Sequence, residues 1–177
     1  MPSWPRPRLL DSVSDVQARL EVERNEAQMA LIHGEPLVCF EIFKRHFEET
    51  PFAPWVALSG MTDGAIFTGD PALISEVLGH VESQPKSPLN EALHNRARAA
   101  RAIVDGSVVE GVELLDANVA STAAAGMKAD ELFTSAVGAA LLPLGPDRAR
   151  FADHARAMAD AAGGRGLSAW IDRLETA

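Results

Sequence analysis

Four short segments, His33-Gly34-Glu35-Pro36, Thr68-Gly69-Asp70-Pro71, Asp105-Gly106-Ser107 and Leu144-Gly145-Pro146-Asp147, each separate two stretches with helical apolar periodicity. Their glycines lie 35, 37 and 39 positions apart by subtraction (69−34, 106−69, 145−106). A near-constant spacing of this size points to stacked supersecondary units rather than to one irregular core. The turn chemistry agrees with the spacing. A helix commonly ends at a residue of positive φ, which glycine adopts without a Cβ penalty. Pro36, Pro71 and Pro146 then suit the first turn of a following helix, where no backbone N–H partner is lost, and Asp70 and Ser107 are placed to cap it.

Each glycine therefore reads as the tip of a helical hairpin. The first hairpin pairs residues 12–33 with 36–49, whose apolar stripe is Val38, Cys39, Ile42, Phe43 and His46. The second joins 52–69 to 71–82, burying Leu73, Ile74, Val77, Leu78 and Val81. The third spans 88–105 and 108–124, with Val112, Leu115 and Val119 inward, and the fourth joins 129–142 to 146–162 through Phe151, Ala155, Met158 and Ala162. Gly163-Gly164-Arg165-Gly166 breaks the chain before a last helix, 167–174, carrying Trp170, Ile171 and Leu174. That helix has the character of a cap over the open end of an array. Two regions follow: a Pro/Arg-containing arm over 1–11 and a helical repeat domain over 12–177.

From Gly34 onward the chain resembles the tetratricopeptide-repeat family, in the degenerate form found in large bacterial signalling ATPases, transcriptional activators and nucleotide cyclases. The segments that carry the resemblance are 33–43, closed by Pro51, and 105–115. A small residue five positions after the glycine and a large apolar one nine after it are met by Cys39 and Phe43 and by Gly111 and Leu115; Ile74 with Leu78 matches only at the large position. The family's Trp-Leu-Gly-Tyr pattern is absent, and Arg150 stands where the fourth hairpin should have its small residue. The resemblance implies an all-α, right-handed solenoid of about four antiparallel hairpins, noncatalytic and binding a protein or peptide in cytoplasmic regulation. It also implies that the first helix of each hairpin lines a concave face. Counting back from each turn glycine by the family's pattern places Arg24, Gln28, Ser59, Asp63, Arg96 and Ser135 there.

Composition narrows the functional classes. With Arg6 and Arg8 set aside, residues 9–177 carry 14 basic against 25 acidic side chains, a balance of −11 that disfavours nucleic acid and anionic membranes as partners. Cys39 is the only cysteine, which excludes an internal disulfide and a cysteine-based zinc cage and fits a reducing compartment. The N-terminus lacks the apolar core of a signal peptide, and no stretch reaches the about 18 apolar residues of a membrane span.

The residues that invite catalytic or metal readings are weakly placed for them. Glu91 and His94 have the i, i+3 spacing of helical di-iron sites, but such a site needs a second copy and two further Glu, so a solvated helix face is expected. Glu76 and His80 form a simple i, i+4 pair, and His46 belongs to an apolar stripe as a hydrogen-bonded core histidine. Residues 163–166 lack the Lys-Ser/Thr and the preceding strand of a phosphate loop, so they read as a helix break. No cofactor is expected.

Two features point to binding. Arg96, Arg98 and Arg101, with His94 and Lys86 nearby, are the only basic concentration in the array; solvation is the bland reading, and docking of a carboxylate-rich segment through Arg96 the functional one. Arg148, assigned to a second helix, serves as the comparison. Trp55, after Phe52, reads as packing between the first two hairpins, whereas Trp4 in its Pro-rich arm is left to dock on the array or on a second copy of the chain. The competing class is a small-molecule sensor or enzyme-associated domain, with an apolar pocket between the Ala/Gly-rich later helices.

Overall fold

In the computed structural model, which describes residues 16–49 and 54–176, the chain is all helical, with nine helices and no strand among the described residues. In order they are α1 Val16–Ile32, α2 Pro36–Glu49, α3 Pro54–Thr68, α4 Pro71–Glu82, α5 Pro88–Val104, α6 Val108–Ala124, α7 Lys128–Leu141, α8 Pro146–Ala161 and α9 Arg165–Thr176. The N-terminal arm with Trp4, the expected helical residues 12–15, and Pro51 and Phe52 lie outside the described residues.

The turns form for the reasons the sequence suggests, with three differences. Gly34, Gly69 and Gly106 adopt positive φ at the ends of α1, α3 and α5, and Asp70 caps α4 by accepting a hydrogen bond from the Ala72 N–H at 2.7 Å. Gly145 does not follow them: its φ of 163° is extended, and it precedes α8 after a longer connection from Leu141. Gly126, between α6 and α7, has the positive φ instead. Ser107 makes no side-chain cap, whereas Ser87, which starts α5, accepts from the Asn90 N–H at 3.1 Å. The break at 163–166 is also shorter than expected, because Arg165 and Gly166 already belong to α9.

Sequential helices pack against each other throughout, and α1, α3, α5, α7 and α9 also pack in succession, each on the next odd-numbered helix or on one further along. Among the well enclosed ones is α3, where Ala57, Leu58, Met61, Ala65 and Ile66 are buried together with Thr62 and Asp63. A helix apolar on every side belongs at the centre, and α3 accordingly touches α1, α2, α4, α5 and α7. Its Gly60 and Gly64 admit α2: a Cβ on Gly64 would stand 2.6 Å from the Phe40 backbone nitrogen. Between α5, α6 and α7 the buried Asn118 amide donates to the Ala92 carbonyl at 3.0 Å and to Thr134 Oγ1 at 2.9 Å.

The apolar stripe of α2 is rotated from the expected one. Cys39, Phe40, Phe43 and His46 are buried, while Val38 is 42% exposed. Likewise Ala162 lies beyond α8 and is exposed. The last helix does more than cap an end. The buried Trp170 packs its ring against Phe67 of α3, with centroids 5.1 Å apart, and against Phe133 of α7 at 5.6 Å. Arg173 donates to the Ile32 carbonyl of α1, so the two ends of the helical series meet. In a linear repeat each unit touches only its neighbours. Here α1 touches α9 and α3 touches α7, which folds the inner side in on itself.

Candidate functional site

The inner side holds a cavity of about 270 Å³. Gln28 and Leu31 of α1, Trp55, Ser59 and Asp63 of α3, Leu89 and Arg96 of α5, and Asp130 and Phe133 of α7 line it, with Cys39 and Phe43 of α2 behind them. Trp55 is 55% exposed and marks the mouth. The same Trp55, with Leu89, also borders a second hollow of about 490 Å³ that runs along Gln84, Pro85, Ser87 and Asn90. The two hollows share one aromatic wall. Trp55 therefore does not pack away between hairpins, as its sequence context suggests, but stands at their common edge.

At the polar end of the cavity, three charges converge from three helices. Arg96 is 1% exposed. Its Nη2 lies 2.8 Å from Asp63 Oδ1, and its Nη1 donates to Asp130 Oδ1 at 3.2 Å and to the Asp130 carbonyl at 3.4 Å. The contact with Asp63 is an ion pair without a directed hydrogen bond, which leaves Asp63 Oδ1 without a hydrogen-bond donor and Arg96 Nε without an acceptor. Burial pushes the Asp63 carboxyl up to about 6; the Arg96 charge opposes that shift and the Asp130 charge adds to it. Burial, reinforced by the Asp63 charge, also drives the Cys39 thiol well above its ordinary range, so this thiol is an inert packing group whose Sγ faces the Gly60 carbonyl at 3.6 Å.

Four of the six residues assigned to the concave face, Gln28, Ser59, Asp63 and Arg96, meet at this cavity. Arg24 and Ser135 are not among its lining residues. Arg24 instead pairs with Glu21 at 2.7 Å on the surface, and the Ser135 hydroxyl is buried, donating to the Glu131 carbonyl of its own helix at 3.0 Å. Ser135 misses because the count starts from Gly145, which trails the end of its helix by four positions (145−141), whereas Gly34, Gly69 and Gly106 trail theirs by two, one and two. Removing two positions from that offset leads to Phe133, which does line the cavity. Helical register does not point to Asp130 or Trp55. Asp130 carries no signal in the sequence until Arg96 is known to be buried and in need of a second carboxylate.

The basic residues around Arg96 have acidic or carbonyl partners within the chain. Arg96 is enclosed by its carboxylates, and Arg101 is held by Asp105 at 2.7 Å and by the Pro71 carbonyl at 2.8 Å. Arg98 lies 3.9 Å from Glu110, and His94 lies 3.3 Å from Glu82. Arg148, the comparison residue assigned to a second helix, lies on α8, where it is buried and donates to the carbonyls of Leu142, Leu174 and Glu175, tying α8 to α9. His46 is the core histidine that its stripe suggests, 2.7 Å from Glu23 of α1. Among the described residues, no group of three or more His, Cys, Asp or Glu side chains is arranged to hold a metal ion, and no helix is long and apolar enough to cross a membrane. Comparison with protein-family models, with curated proteins and with solved structures found no match.

Proposed function

We propose that this chain is a noncatalytic interaction module, a right-handed α-solenoid of about four tetratricopeptide-like hairpins closed by α9, that seats a segment of a partner protein against its inner side in cytoplasmic regulation. One observation carries the reading. Four of the six residues picked by counting back from the turn glycines with the resembled family's pattern, on three different helices, converge on one cavity whose mouth continues into a second hollow. Exposed tryptophan at such a junction offers a large apolar area at low conformational-entropy cost, the character of a binding anchor. The partner is a protein or peptide. The enclosure of Arg96 between two carboxylates removes the charge on which recognition of an acidic segment would rest.

The test compares two exposed apolar side chains. Trp55→Ala should remove partner capture in a pull-down, with a loss of about tenfold or more for an aromatic anchor. Val109→Ala, on the exposed face of α6, should leave capture unchanged. Equal capture by both variants would refute the assignment.

A second reading has its own support. The inner cavity is small and is walled by α1, α2, α3, α5 and α7, as a small-molecule sensor requires. Whole ligands usually occupy about 300–1,000 Å³, so a cavity of about 270 Å³ fits one side chain better than a complete cofactor-sized molecule.

A further inference from the structure

We infer that the inner cavity is a receptor for a single organic cation, the ammonium or guanidinium of a basic side chain on the bound peptide, received by Asp63 and Asp130 with its alkyl stem against Trp55, Phe43 and Phe133. This rests on the peptide-binding reading and names the chemistry of its central contact.

Two carboxylates and one guanidinium share the polar end of the cavity, so with all three ionised the cluster carries one uncompensated negative charge. Asp63 is only 5% exposed, and burying an unbalanced charge is costly. Hydrogen bonding adds a second, independent observation: Asp63 is among the lining residues, and its buried Oδ1, though 2.8 Å from Arg96 Nη2, has no hydrogen-bond partner. An incoming N–H of a cation supplies both the missing donor and the missing charge, whereas a neutral hydroxyl supplies only the donor. A carboxylate ligand would face two like charges across the one Arg96. Apart from the neutral polar Gln28 and Ser59, the rest of the lining is mostly apolar and aromatic, which suits an alkyl stem and lets the cation approach ring faces.

Without a cation, the cluster can shed its surplus charge only by protonation. The ionisable groups acting on Asp63 are Arg96 from α5, Asp130 from α7 and Cys39 from α2, while α1 presents the neutral Gln28. Cation and proton therefore compete for one carboxylate. With Asp63 titrating at about 6, occupancy should be favoured at neutral pH and weaken by about tenfold at about pH 5.

Nuclear magnetic resonance on the ¹⁵N-labelled full chain tests this with butylammonium, butylguanidinium and butyrate as probes, following the amides of Gln28, Gly60, Asp63 and Phe133. The expected result is saturable shifts with both cations, weaker at the lower pH, and none with butyrate. Asp63→Asn and Asp130→Asn should each abolish saturation while circular dichroism shows intact helices. If Asp63→Asn fails to fold, Asp130→Asn, at the more exposed carboxylate, carries the test. Butyrate moving the same amides as strongly as the cations, or cations leaving the folded wild-type protein unmoved, would overturn the inference. The two readings can fail separately. Silent cations together with Trp55-dependent partner capture would sink only the cation receptor; cation binding without any Trp55-dependent capture would leave a small-amine site and sink the peptide module.

Discussion

Arg96 of α5 reaches Asp63 of α3 at 2.8 Å in the interior of the protein, and it does so while also holding Asp130 of α7. One side chain thus ties together three of the helices that form the inner side. Removing it should be far worse than removing either partner's charge. Arg96→Met strands two like carboxylates in a confined space and should cost about 3–5 kcal/mol at neutral pH. Asp63→Asn leaves a balanced Arg96–Asp130 pair and should cost less than half of that. Urea unfolding of both variants checks the order, and an equal loss would show that the cluster does not act as a unit.

The same carboxylate sets a pH dependence of unusual sign. The folded-state value of Asp63 is raised from 3.8 to about 6, so the folded chain binds this proton more tightly than the unfolded chain does. Its contribution therefore favours folding below about pH 4 and is lost as pH rises through about 6. Glu23 and Glu131 have the opposite sign. Burial alone would raise both, but bonds from His46 and Arg45 to Glu23, and from Lys128 and His154 to Glu131, hold each below its ordinary value, so their stabilisation is lost as the pH falls through those depressed values. Subtracting the Asp63→Asn stability profile from the wild-type profile isolates the Asp63 contribution. The difference should shift in favour of the wild type as the pH is lowered from about 7 to about 4.

Close contact between α2 and α3 gives a prediction with an internal control. A methyl group on Gly64 would lie 2.6 Å from the Phe40 backbone nitrogen and 2.8 Å from its Cα, neither of which a rotamer change can move. Gly64→Ala should therefore cost about 1–3 kcal/mol. At Gly79 of α4 an added methyl would meet nothing within 4 Å, so Gly79→Ala should be neutral or stabilise by up to about 1 kcal/mol through helix propensity. Thermal unfolding of the two variants separates packing from propensity.

Much of the helical order was legible because it depends on local chemistry. Glycine at Gly34, Gly69 and Gly106, proline at Pro36 and Pro71 and the Asp70 cap each act within one turn of the chain, so their positions fix where helices begin and end. Register read from those turns carried Gln28, Ser59, Asp63 and Arg96 to one cavity. What was not legible depends on contacts distant in sequence. Gly145 looks like the other turn glycines, yet it sits extended before α8, and the count from it goes astray at Ser135. The burial of Arg96 needs Asp130, 34 residues away, and an Arg in a run of basic residues looks exposed until that partner is known. Val38 and Phe40 exchange roles because the wall that α2 meets is the glycine face of α3. Periodicity within α2 says only that a stripe exists.

The central claim, that the junction at Trp55 receives a partner segment, is tested most directly by crosslinking from within it. A photoreactive benzoylphenylalanine in place of Trp55, and separately in place of Val109, should be irradiated in extract with the purified chain. The account predicts a discrete crosslinked protein from position 55 that is absent from position 109, with the attachment mapped by mass spectrometry to a residue adjoining a Lys or Arg of the partner. Crosslinking from position 109 alone, or none from position 55 in a folded protein, would contradict it and move the binding surface away from the inner side.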